Sequence, residues 1–183
     1  MKNNIFYIIL FLISYNIALA ESFNFQTKKI EVVKEDQLIK AAFGKATSKD
    51  GNLIINADKF IYQLKDKILN ATGNGSIIVK DKELEILFNN LIFNQDTSLI
   101  ELNGNVRFIE KTKGLEIYTN STILNQNKNY LESNTKNKIN DKFKNNYLVD
   151  KFYYEIDNDL LKVENLIFTD IKKNKLETSL AYL

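Results

Sequence analysis

Alternation of apolar and polar positions with a period of two runs through most of this chain. Ile100, Leu102, Val106 and Phe108 share one parity around Gly104, while Glu101, Asn103, Asn105 and Arg107 hold the other. Leu69, Ala71, Ile77 and Val79 stand in the same way against Asn70, Thr72, Asn74 and Ser76, and Leu161 and Val163 against Lys162 and Glu164. A period of two places successive side chains on opposite faces of an extended strand. After the first twenty residues no segment sustains apolar spacing of i, i+3, i+4, i+7, so the pattern predicts an all-β chain and excludes a helical solenoid. Polar pairs interrupt the runs at Lys65-Asp66, Gln95-Asp96, Asn127-Lys128 and Asp157-Asn158. Each reads as a hairpin turn.

The alternation is itself repeated. Residues 57–74 align with residues 88–105 at an offset of 31, with Gly73 matching Gly104, and weaker copies begin at Thr119 and Val149. Ile39 to Gly44 resembles a half-unit ahead of them. Each unit predicts two antiparallel strands, ten or more in all, with units that bury their apolar faces only by stacking. Gly73 and Gly104 fall in mid-strand, where glycine marks a bulge or bend of the sheet, or clearance for a close-packed ligand; the bend is the simpler reading.

The amino end departs from this pattern. Lys2 precedes an apolar stretch from Ile5 to Ala18, and Ala18-Leu19-Ala20 forms a small-x-small site before Glu21. This predicts a cleavable signal peptide over residues 1–20, leaving 21–183 as one exported domain. The apolar run is shorter than the roughly 20 residues that a membrane-spanning helix needs.

Composition then removes most chemistry. The chain has no Cys, His, Pro or Trp, so disulfides, thiol nucleophiles, thiolate or imidazole metal sites and histidine acid–base catalysis are absent. No nucleotide-binding or nucleophile-elbow motif occurs and no carboxylate pair stands out, so a catalytic site and a cofactor are not expected. A formal charge of +2 gives no field that would draw nucleic acid. Asp157-Asn158-Asp159 lacks the rest of a calcium loop and reads as a turn. Asn70, Asn74 and Asn120 head glycosylation sequons of the kind that an Asn-rich chain produces by chance. Residues 134–146, with Lys136, Lys138, Lys142 and Lys144 against Asp141, read as a solvated loop or, alternatively, as a basic arm that meets phosphate, for an exported protein the phosphate of lipid.

Asp50-Gly51-Asn52, then Ile55 to Tyr62, then Leu69-Asn70-Ala71-Thr72-Gly73-Asn74 resemble the OstA-like (organic solvent tolerance) β-jellyroll family of lipopolysaccharide transport. Leu102-Asn103-Gly104-Asn105-Val106 fits that family's recurring A-x-G-N-V pattern. The stretch from Lys138 to Tyr147, with Phe152-Tyr153-Tyr154 and Asp170 to Asn174, is similar to the amino-terminal periplasmic domain of the assembly protein LptD. The resemblance covers Phe25 to Leu183. It implies a bent, open, antiparallel β-jellyroll in the periplasm, associated with the outer membrane, that binds lipopolysaccharide without enzymatic activity. Implied partners are lipopolysaccharide, other OstA-like proteins stacked edge strand to edge strand, and an outer-membrane barrel component. The large barrel that follows the domain in LptD has no counterpart in these residues, and the small carrier LptA is the other pattern within the family. On this reading acyl chains contact Leu69, Ala71, Ile77, Val79, Ile86, Phe88, Ile100, Leu102, Val106, Phe108, Ile117, Leu131, Leu161 and Val163. The alternative is a structural β-repeat interaction module whose core is filled by its own side chains and takes no lipid.

Overall fold

The computed structural model describes residues 23–183; the expected signal peptide lies outside the described residues. Thirteen strands form a single antiparallel sheet: β1 Phe23–Val33, β2 Leu38–Ser48, β3 Leu53–Gln63, β4 Ile68–Val79, β5 Leu84–Asn94, β6 Leu99–Glu110, β7 Leu115–Asn125, β8 Tyr130–Ser133, β9 Asn137–Asn140, β10 Asn146–Val149, β11 Lys151–Glu155, β12 Leu160–Thr169 and β13 Lys175–Tyr182. The helical content of the described residues is one 3-10 turn at Lys80–Lys82. The four turns expected from polar pairs are all present, within residues 64–67, 95–98, 126–129 and 156–159. Two strands per repeat follow, because each 31-residue unit is two strands and two turns.

β1 through β7 form a simple meander, each strand paired to the next. Beyond it the strands break in two. The carboxyl half of β7 pairs with β8 and its amino half with β9, so β8 and β9 are halves of one interrupted strand. In the same way β12 pairs with both β11 and β10. The segment 134–146 is therefore more structured than its composition predicts. It contains β9, with Asn137 and Ile139 buried, and what remains outside strands is the short link 134–136 and the turn 141–145.

The interruption marks a line that crosses the sheet. The pairing register slips by one between Asn56 and Lys59, Thr72 and Gly75, Leu87 and Asn90, and Asn103 and Val106. Gly73 and Gly104 sit on this line with φ of +82° and +77°, a conformation that costs other residues about 1–2 kcal/mol. A β-carbon on Gly73 would stand 2.5 Å from the Asp58 carboxylate, and one on Gly104 would stand 3.0 Å from Asn89. The clearance these glycines provide is thus taken by the neighbouring strand. The row of bulges bends β3 to β7 in the middle, and the sheet folds over on itself in two layers.

One layer carries the turns at 34–37, 64–67, 95–98, 126–129 and 156–159. The other carries those at 49–52, 80–83, 111–114, 141–145 and 170–174. A single buried core fills the space between the layers. The outer strands β1 and β13 each have one neighbour, which leaves an unpaired edge at either end of the roll.

Candidate functional site

Following the register from strand to strand shows what the fold does with its apolar residues. In the first layer Val32, Ile39, Tyr62, Leu69, Phe93, Ile100, Leu124, Leu131, Tyr154 and Leu161 are successive cross-strand partners. In the second layer Phe25, Ala46, Ile55, Ile77, Ile86, Phe108, Ile117, Ile139, Tyr147, Phe168 and Leu176 do the same. Two unbroken apolar rows thus cross the sheet, one in each layer, facing each other. At neighbouring-strand spacing each extends roughly 50 Å along the sheet. The rows mesh through rings: Phe23 lies edge-on to Tyr62 and Phe93, with centroids 5.8 Å apart in both pairs, and Phe108 lies edge-on to Tyr154 at 5.9 Å.

One row reaches solvent at each edge. On β1, Val32 and Ile30 face inward by register yet are more than half exposed, and on β13 so is Leu176. Between the edges the interior is closed. Ile100 and Phe108 are 0% and 1% exposed, filled against by their own neighbours.

Opposite the bend, the two rows of turns meet along a seam. Lys82, from the 80–83 turn, pairs with Asp157 at 2.6 Å, and Asn129 donates to the same carboxylate at 2.7 Å. Lys113, from the 111–114 turn, contacts Glu110 at 2.8 Å and Asp159 at 3.0 Å and donates to the Tyr154 hydroxyl at 3.0 Å. The Tyr154 hydroxyl donates to Glu110 at 2.7 Å. Two lysines of one layer therefore clasp the two aspartates of a single turn in the other. The electrostatics agree. The Lys82 hydrogen bond holds Asp157 below the usual carboxylate range. Burial disfavours charge on Lys113, but hydrogen bonds to Glu110 and Asp159 outweigh it and raise its pKa. Burial, then the hydrogen bond to Glu110, pushes the Tyr154 phenol far up.

Two concavities open onto this seam. One, of about 520 Å³, has Phe23, Leu53, Leu84, Phe93 and Ile156 in its wall and Lys49 and Lys82 at its rim. The other, of about 450 Å³, lies beside the clasp and is lined by Leu115, Ile139, Tyr147, Tyr154 and Leu161, with Lys113 and Phe143. Burial and a hydrogen bond to Asp141 push the Tyr147 phenol up to about 12. Among the described residues no cluster of three acidic side chains has the geometry of a metal site.

All fourteen residues singled out by alternation point into the interior: thirteen lie in the buried core and Val79 packs against it. Alternation missed Phe60, Tyr62, Leu91, Phe93 and Leu124, for a definable reason. On β3, β5 and β7 the inward positions step by three at the bend, from Ala57 to Phe60, Phe88 to Leu91 and Thr119 to Thr122. Parity carried past that step selects the wrong face. The recurrence of a polar pair there, Asp58-Lys59, Asn89-Asn90 and Asn120-Ser121, was the available signal.

No family model matches the chain, and no curated protein matches it. Among solved structures it is similar to LptH, "the LptA homologous periplasmic component of the conserved lipopolysaccharide transport device from Pseudomonas aeruginosa", at 12% sequence identity. The match covers 72% of this chain and 93% of that chain, with a TM-score of 0.58. The likeness is one of fold: this chain is an antiparallel β-jellyroll of the LptA kind.

Proposed function

We propose that this chain is a non-enzymatic module of lipopolysaccharide transport, working in the periplasm and taking lipid A acyl chains between its two layers. The observation that carries this is the pair of apolar rows that cross the sheet and emerge exposed, one at the β1 edge through Val32 and the other at the β13 edge through Leu176. A core that only stabilises a fold gains nothing by continuing to solvent, whereas a path shared with neighbours must do so. Modules of this fold stacked edge to edge, β13 of one against β1 of the next, join their rows while satisfying the unpaired backbone groups. Each acyl CH₂ that leaves water contributes about 0.8 kcal/mol. Lipid enters when the seam parts, because the fourteen residues are closed over while the clasp holds. Resemblance of the later segments to the LptD amino-terminal domain supports an outer-membrane barrel component as a partner, while the likeness of fold to LptH fits the free-carrier pattern as well.

The second reading, an interaction module with a self-filled core, draws on the burial of Ile100 and Phe108. Photo-crosslinking separates the two. A photoreactive side chain at Phe108, and separately at its outward neighbour Arg107, is exposed to lipopolysaccharide in cells. Adducts at 108 and none at 107 are expected. A folded protein with adducts at neither position, or equally at both, overturns the transport reading and leaves the self-filled module.

A further inference from the structure

Two hairpin turns lie side by side on one rim of the roll and share one design. The β9–β10 turn reads Asp141-Lys142-Phe143-Lys144-Asn145, and the β12–β13 turn reads Asp170-Ile171-Lys172-Lys173-Asn174. In each, the aspartate locks the loop. Asp141 accepts from the Asn145 backbone N–H at 3.0 Å and its carboxamide at 2.8 Å, and Asp170 from those of Asn174 at 2.8 and 2.7 Å. The backbone closes identically, with Lys144 donating to the Asp141 carbonyl and Lys173 to that of Asp170, both at 3.0 Å. Lys144 and Lys173 take the same left-handed φ, 65° and 67°. The turns adjoin because Asn146 on β10 pairs with Thr169 on β12. Two strand spacings separate the tips by about 10 Å.

What these rigid loops display is unusual for the molecule. Phe143 and Ile171, at the tips, are 66% and 68% exposed, the most exposed large apolar residues described. Around them Lys142, Lys144, Lys172, Lys173 and Lys175 are exposed and form no ion pair among the described residues. The only carboxylates in either turn, Asp141 and Asp170, are turned inward as locks. Among the described residues no other turn presents an exposed large apolar tip.

We propose that this pair of turns is an anchor for an anionic lipid surface, with Phe143 and Ile171 inserted among the headgroups and the lysines set against lipid phosphate. Two apolar prongs on adjacent locked loops touch one plane together, and the four lysines of the turns, with no free carboxylate among them, match a negative surface by charge. A basic rim with apolar tips is the composition that binds a membrane interface without spanning it. The anchor is independent of what the interior carries.

The test is co-flotation of the protein, expressed with its leader and purified after export, with phosphatidylglycerol–phosphatidylethanolamine vesicles and with phosphatidylcholine vesicles. Binding to the anionic vesicles alone is expected. Each of Lys142→Gln, Lys144→Gln, Lys172→Gln and Lys173→Gln should weaken it about fivefold, and Phe143→Ser and Ile171→Ser about tenfold each. Lys136→Gln with Lys138→Gln, one just before β9 and one on its outer face, should change it little. Circular dichroism confirms the fold of each variant, since both locks are untouched. The proposal is overturned by folded protein that ignores anionic vesicles. Equal loss from the Lys136 and Lys138 pair also overturns it, as does binding that survives loss of both tips and reports charge alone, as an acidic protein partner would require.

Discussion

Lys113 draws together β6, β11 and the turn that follows β11, through Glu110, Tyr154 and Asp159. Glu110 is a 5%-exposed carboxylate, and removing its cation leaves a buried charge with the phenol as its remaining close partner. Lys113→Met is expected to lower stability by about 2 kcal/mol, toward the low end for buried pairs because the lysine keeps some contact with water; urea unfolding measures it. Buried Tyr154 and half-buried Tyr147 make stability fall at alkaline pH. Tyr154 and Tyr147 both have folded-state pKa values above the ordinary 10, so the folded state retains protons that the unfolded chain releases. The stability they contribute is complete below about pH 10 and declines as pH rises toward 12. Thermal melts should show that decline, and Tyr147→Phe with Tyr154→Phe should flatten it. A pH profile unchanged by the double variant would contradict the assignment.

At the level of the strand, the bend matters more than the hairpins, since it decides which residues of each strand face inward. Gly73→Ala is strained twice, by its φ of +82° and by contact with Asp58, whereas Gly104→Ala meets a looser neighbour in Asn89. The cost expected is about 2 kcal/mol for Gly73→Ala and less for Gly104→Ala. In a double-mutant cycle with Asp58→Ala, the steric part should be recovered and the conformational part retained. Full recovery would mean that the left-handed backbone carries no strain.

For the whole molecule, the transport reading puts lipid entry at the seam rather than at the edges. The chain has no cysteine of its own, so Lys82→Cys with Asp157→Cys, joined by a short bis-maleimide, ties the layers at the clasp. Lipid adducts at Phe108 should then fall to background while the unlinked variant labels normally. Persistent labelling in the linked protein would assign entry to the β1 or β13 edge.

Strand identity, the turns, the two-strand repeat and the inward residues on one side of each bend were legible in the sequence, because a period of two is a local property of the chain. Leu69, Ala71, Ile77 and Val79 needed nothing beyond β4 itself: its bulge adds one residue, so the inward positions step by four and parity survives. Phe60, Tyr62 and Phe93 were not legible from alternation alone, because the three-residue step on β3 and β5 breaks parity where each strand meets its neighbour. The lysines of residues 134–146 were visible as a group, but composition could not show that Lys138 belongs to a strand face and Lys142 and Lys144 to a locked turn. Nor does any spacing bring Lys82 to Asp157 or Lys113 to Asp159, since those contacts exist only once the sheet has folded over. Local alternation determined that this protein is a sheet with one apolar face; only the packing of one half-sheet on the other decided that the face is a closed, edge-to-edge interior with a seam.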